Sequence, residues 1–256
     1  MCPLPELGAI LLAALLYGAW WIRLRVHGAA ACAGWRPLAA WLAGLTVTVL
    51  ALLSPLGELA HQLFWLHMVQ HELLIYLVAP LLLAGLSPLL PAAPSAEGTR
   101  SRTARLIESL TRPLPALGIS TAILWLWHAP AAFDLTLASA PVHALEHLSF
   151  LGAYLLYWRP LMRTGGPLPV LRTGASRALY LLAGGTQAAV LGALLAFAGT
   201  PYYHHYLHTA SAWGFTPLSD QQHGGAVMLL SGAVAYVAAA ALTIREPTPA
   251  GSWRAA

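Results

Sequence analysis

Eleven histidines stand in a chain of 256 residues, and their spacing is the first feature that could do chemistry. His67 and His71 are four positions apart, as are His143 and His147, with Glu146 beside the second pair. Positions i and i+4 of a helix share one face, so each pair presents two imidazoles side by side. Facing pairs on two helices offer four nitrogen donors, and imidazole suits copper, zinc, iron and nickel. Met68 adjoins the first pair and Met228 lies further along; a thioether favours copper(I) among those metals. Glu146 and Asp220 could ligate directly or could orient imidazole N–H groups from behind the ligands. His128, Asp220 and His223 could close the site. His61, His204, His205 and His208 read either as further ligands or as polar loop residues.

The elements that carry these residues are apolar. Hydrophobic residues make up 58% of the chain and charged residues only 9%, with a mean hydropathy of +0.66. Soluble domains carry about 25% charge, so lipid must cover much of this surface. The pI near 9.3 therefore does not signal nucleic acid. A membrane span needs about 20 apolar residues. Seven such stretches are expected, over 7–22, 37–56, 61–86, 113–128, 141–160, 175–198 and 221–244. The fourth is followed by a short break. Pro37, Pro113 and Pro141 fall at helix starts, where a missing N–H costs little. There is no internal repeat and no second domain. Gly184, Gly185 and Gly192 predict a close helix-packing surface, and Gln187 a polar contact inside the bundle.

Arginine supplies the orientation. The chain has no lysine, and its 13 basic residues fall between spans one and two, three and four, and five and six, and after span seven. The alternate loops carry none. Basic loops stay in the cytoplasm. The fold expected is thus an all-α integral membrane bundle of seven transmembrane helices, with the N-terminus outside and the C-terminus cytoplasmic. Residues 1–256 form one transmembrane domain, with a cytoplasmic loop at 87–112 and a His-rich outer loop at 199–220. Within the former, Arg102 to Leu110 reads as a short amphipathic helix on the inner leaflet or as a solvated linker. Every histidine except His27 then lies toward the outer side, together with Glu6, Glu58, Glu72, Asp134, Glu146 and Asp220. Ionisable groups at membrane depth rarely face lipid, so both imidazole faces should point into the bundle. Cys2 and Cys32 fall on opposite sides, and no disulfide is expected. A cleavable signal peptide is not expected either, since no basic residue precedes the first apolar run. Phosphate loops, dinucleotide fingerprints, Gly-x-Ser-x-Gly elbows and Cys-x-x-Cys pairs are all missing.

The order of motifs resembles a known family. His67-Met68-Val69-Gln70-His71 runs on to Ala79-Pro80-Leu81-Leu82, Gly85 and Pro88; then come Trp127-His128-Ala129-Pro130, His143-Ala144-Leu145-Glu146-His147 and Trp158, and last Asp220-Gln221-Gln222-His223-Gly224-Gly225. This series is similar to that of the CtaG family of polytopic assembly proteins for caa(3)-type cytochrome c oxidases, from about His61 to the end of span seven. The resemblance implies a bacterial plasma-membrane protein that helps mature a haem–copper oxidase by handling copper on the outer side. By motif position it implies His67, His71, His128, His143, His147 and Asp220 as the residues concerned. Two features depart from the family pattern: His223, where an apolar residue is expected, and the His204, His205 and His208 cluster.

Four functions follow as expectations. The first is a metallochaperone that holds copper, as copper(I), and passes it to oxidase subunits, with a soluble outer-side donor as a further partner. The second is a di-iron membrane oxygenase, which the outward-facing histidines disfavour. The third is a haem-b carrier with axial histidines. The fourth is a metal-free scaffold for oxidase assembly.

Overall fold

The computed structural model describes residues 4–26, 34–87, 102–162, 171 and 173–245. Cys2, Cys32 and His27 lie outside these. Among the described residues every regular element is helical. In chain order they are α1 (Leu4–Val26), α2 (Trp35–Leu52), α3 (Pro55–Ala60), α4 (Phe64–Leu73), a π-helical turn (Leu74–Val78), α5 (Ala79–Leu86), α6 (Arg102–Leu110), α7 (Pro113–His128), α8 (Pro130–Ala138), α9 (Ala140–Trp158), α10 (Gly174–Ala196), α11 (Tyr206–Thr209) and α12 (Pro217–Arg245). Four stretches are long and apolar enough to cross a membrane: Trp35–Leu52, Phe64–Leu86, Gly174–Ala196 and Pro217–Ala241. The α7–α8 pair, bent by 73°, makes a fifth if it is one span. The protein is a helical membrane protein. Leucines such as Leu15, Leu126, Leu148, Leu179 and Leu230 stand exposed around it, as lipid-facing residues do.

The π turn and α5 continue α4, and this composite helix is the centre of the bundle. It packs on α2 at one side, on α12 at the other, and on α9. The π turn has a covalent cause. Pro80 has no N–H and its ring would clash with the carbonyl four residues back. Widening the turn moves the next bond to Ala79 N–H and Leu74 O. The Ile75 carbonyl loses a helical donor in this rearrangement, and the Trp158 indole N–H supplies one at 2.9 Å. An unpaired carbonyl at membrane depth is costly. Trp158→Phe should therefore destabilise the protein by about 1–3 kcal/mol, read as a lower thermal midpoint in detergent; an unchanged midpoint would mean the carbonyl is satisfied otherwise.

The break after the fourth stretch also follows from proline. Pro130 forces Ala129 to an extended conformation (φ −64°, ψ 128°), so α8 turns away from α7. The third stretch starts later than its apolar pattern suggests. Pro55 begins the separate helix α3, and His61 ends it, leaving α4 to start at Phe64. The glycine-rich face behaves as its composition predicts. Gly192 of α10 meets Gly225 of α12, and a Cβ on Gly192 would lie 2.8 Å from Leu229 N and 2.9 Å from Gly225 O. Gln187 accepts a hydrogen bond from the Trp125 indole at 3.1 Å, joining α10 to α7. Arg102–Leu110 is a helix, with Leu106 and Ile107 exposed on it.

Candidate metal centre

Helices α4 and α9 bring the two histidine pairs face to face. His67 and His71 project from α4, while His143, Glu146 and His147 project from α9. One ligand atom each from His67, His71, Glu146 and His147 lie within 4.8 Å of one another. His67 Nε2 is 3.0 Å from His71 Nε2. Glu146 places Oε2 3.6 Å from His67 Nε2 and Oε1 3.7 Å from His71 Nε2. Two nitrogens on one tetrahedral ion, each about 2.0–2.1 Å from it, are about 3.3 Å apart. The observed separations bracket that edge. His67, His71 and Glu146 are 0%, 2% and 0% exposed, so solvent does not satisfy them.

The hydrogen-bond inventory points the same way. Buried with no hydrogen-bond partner are His71 Nδ1, His128 Nε2, His143 Nε2, His147 Nε2 and both carboxylate oxygens of Glu146. Unpaired buried polar groups are costly, and those of Glu146 and His147 belong to the four-residue group, with His143 and His128 beside it. A cation there would be held by imidazole lone pairs and balanced by the one carboxylate. The residues present therefore fit a transition metal of the imidazole-preferring group.

The surrounding contacts fix which nitrogen faces inward. Tyr206 Oη donates to the Ala60 carbonyl at 2.7 Å and lies 3.2 Å from His67 Nδ1. The hydroxyl has one hydrogen and spends it on Ala60, so His67 Nδ1–H donates to Tyr206 and Nε2 keeps its lone pair. His128 Nδ1–H donates to the Leu124 carbonyl at 2.8 Å, which leaves its Nε2 lone pair toward the cluster. Its ring centre is 6.1 Å from that of His71, making it a flanking donor. Phe150 packs against His71 and Phe133 against His67, at ring distances of 4.6 and 5.0 Å. Such packing holds the imidazoles in place. Tyr206→Phe should cut metal affinity about 10–100-fold, the usual scale for losing an outer support of a metal-binding histidine; competition titration checks this.

Asp220 has a different task. Its Oδ2 accepts from Phe64 N–H at 2.8 Å and its Oδ1 from Trp65 N–H at 3.1 Å. Leu63 precedes α4 and cannot cap it with its side chain. A carboxylate from the first turn of α12 thus caps α4 from across the bundle and sets the position of His67 one turn later. Both oxygens are committed there rather than to the cluster. Met68 is fully buried in the apolar cluster with Phe64, its Cγ beside Gly224. His223 is exposed, with Nδ1–H donating to the Ser219 carbonyl at 2.6 Å. His204 is exposed and paired with Asp134 at 3.0 Å, while Asp134 also accepts from the His204 and His205 amides. These contacts fasten the segment between α10 and α11 to α8. His208 is exposed on α11.

His61 and His143 sit at the edge of the cluster. The His143 ring centre is 4.3 Å from that of His147, 5.3 Å from that of His67 and 4.8 Å from that of His61. His61 lies before the membrane-spanning part of α4, and burial holds its imidazole below the usual pKa, with His67 and His205 adding to the effect. It is thus neutral, with a lone pair, at neutral pH.

A family model described as cytochrome c oxidase caa3 assembly factor matches residues 15–247. The chain belongs to that family. No curated protein and no solved structure matches it. The caa3 assembly-factor match covers every element that builds the cluster, from α2 to α12. It supports the resemblance drawn from the histidine and proline motifs. Tyr206 and the capping role of Asp220 escaped the sequence reading. The Tyr203–Tyr206 spacing beside the loop histidines was the available signal for Tyr206.

Proposed function

We propose that this caa3 assembly factor binds a copper ion at His67, His71, His147 and Glu146, with His143 and His128 flanking, and delivers it to an apo haem–copper oxidase subunit. Copper is the cargo rather than a resident cofactor. The observation that carries this reading is the gathering of one buried ligand atom each from His67, His71, His147 and Glu146 within 4.8 Å, with both Glu146 oxygens and His147 Nε2 otherwise unpaired. The family supplies the client: a caa3-type oxidase needs copper inserted during its assembly. The copper(I) state rests on the imidazoles of the four-residue set.

The topology belongs to the same proposal. Helices α1 and α9 are 23 and 19 residues long. Counting them with α2, α4–α5, α7–α8, α10 and α12 makes seven spans. The arginine distribution sets the N-terminus outside and the C-terminus inside, in a bacterial plasma membrane. The copper centre then opens to the outer side, where a soluble copper donor would meet it. Geometry favours copper over the redox alternatives. A haem needs a flat slot between axial imidazoles, whereas these ligand atoms crowd within 4.8 Å. The histidine-box di-iron reading is disfavoured by sidedness, since such boxes usually face the cytoplasm and these histidines face out in the proposed topology.

The test is copper content of the full chain purified in detergent, as isolated and after copper(I) loading. About one tightly held ion per chain supports the reading, the stoichiometry a single four-ligand site allows. Absence of binding in both conditions, with the chain still supporting oxidase assembly, would leave a metal-free scaffold.

A further inference from the structure

The buried cluster is sealed on the side of the outer loop. Phe133, Tyr203, Phe64 and Tyr206 stack there over His67, with Phe133–Tyr203 and Phe64–Tyr203 ring centres 4.3 and 4.7 Å apart. Phe64, Phe133 and Tyr206 are fully buried. Another route exists. A cleft of about 550 Å³ lies between α1, α2, α3, the α4–α5 composite helix and α9, with Trp41, Leu45, Leu82 and Leu151 among its apolar walls. Its polar lining includes Glu58, His61, His143 and His147. His67, His71 and Glu146 are not on its surface. Two histidines, His143 and His147, therefore face both the cleft and the cluster.

We infer that His61 and His143 form a second, shallower metal-holding port at the polar end of this cleft, and that His143 hands copper between the port and the buried centre. This rests on the proposed function and adds the path and the order of ligands. The geometry is a ladder. The His61 ring is 4.8 Å from that of His143, and His143 Nε2 is 3.9 Å from Glu146 Oε2. His143 Nε2 is buried and unpartnered, so its lone pair is available to either site. Glu58, exposed and three residues before His61, puts a negative charge at the mouth. The His61 turn is held in place by His205, whose Nε2–H donates to the His61 carbonyl at 2.8 Å. Transfer is ligand exchange. Each metal–nitrogen bond broken at the centre is replaced by one formed at His143 and then His61; no electron or proton need be gained or lost by the pair. A metal with several stiff ligands leaves slowly unless a neighbour replaces them one at a time. The ladder provides that neighbour.

The experiment compares wild type, His61→Ala, His61→Gln and, as an exposed control away from the cleft, His208→Ala. Full-length apo-protein in detergent is mixed with copper(I) held by a colorimetric chelator, and both loading and return to excess chelator are followed. Both His61 variants should keep the tightly held ion but load and release it about tenfold more slowly or worse, the scale of losing one supporting metal contact. His208→Ala should match wild type. Wild-type rates in both His61 variants would overturn the port. So would loss of the tight ion in either folded variant, since His61 would then be a ligand of the centre. Failure of wild type to bind copper at all would instead overturn the proposed function, and is read separately in the same assay.

Discussion

Replacing His71 and His147 together with alanine is expected to abolish tight copper binding and, with it, maturation of the client oxidase. The two residues sit on different helices, α4 and α9, and contribute nitrogens that lie within 4.8 Å of each other and of the remaining ligands. Removing both leaves His67 and Glu146, 3.6 Å apart, as the only members of the four-residue set. Loss of an outer support alone costs about 10–100-fold in metal affinity, so loss of two donors should exceed about 100-fold. The protein should still fold, because each change removes a buried imidazole that has an unpaired nitrogen. Competition titration reads the affinity, and the oxidase's copper-dependent activity in cells lacking the native assembly factor reads the maturation. Copper binding retained at wild-type strength by the folded double variant would place the site elsewhere.

Gly225→Leu should have the largest structural effect. A Cβ at Gly225 would come within 2.7 Å of the Gly192 carbonyl oxygen and 2.8 Å of the Leu195 carbonyl carbon. Those are backbone atoms of α10 and cannot move aside as a flexible side chain would. Helices α10 and α12 would have to separate, and small residues at such crossings are what lets membrane helices associate. Overpacking inside a well-filled core costs about 1–3 kcal/mol; a leucine driven against backbone should exceed that. The consequence reaches the centre, because α12 also brings Asp220 to cap α4. The full-length variant should fail to accumulate in the membrane, or lose copper binding when it does. Gly118→Leu is the matched control, since nothing lies within 4 Å of a Cβ there. Equal accumulation of the two variants would contradict the close packing of α10 on α12.

The sequence made some of this legible for simple reasons. Helical periodicity is local, so His67/His71 and His143/His147 could each be assigned to one face. The cost of burying polar groups in lipid turned both faces inward. Pro130 and the glycines of α10 acted through backbone sterics that need no partner to be known. What escaped depended on long-range contacts. Asp220 reaches Phe64 across 156 positions, and Tyr206 reaches His67 across 139; no spacing rule links such residues. Asp220 stood open as a ligand or as an acceptor behind the imidazoles, whereas its oxygens serve backbone amides that the Leu63 side chain could not. Met68 is one residue from His67, yet adjacent positions on a helix point about 100° apart, and it turns toward Gly224. His204 spends its imidazole on Asp134. The π turn before Pro80 was not anticipated within the 61–86 stretch, and its rescue by Trp158 could be seen only once α9 lay against it.

The most direct measurement is X-ray absorption at the copper edge on the full-length, copper(I)-loaded protein, alongside the His71→Ala/His147→Ala variant. Expected are a shell of nitrogen or oxygen neighbours at about 2.0 Å, imidazole outer-shell scattering and no sulfur, with this signal lost in the double variant. A shell containing sulfur, or an unchanged imidazole shell in the double variant, would contradict a copper centre built on α4 and α9.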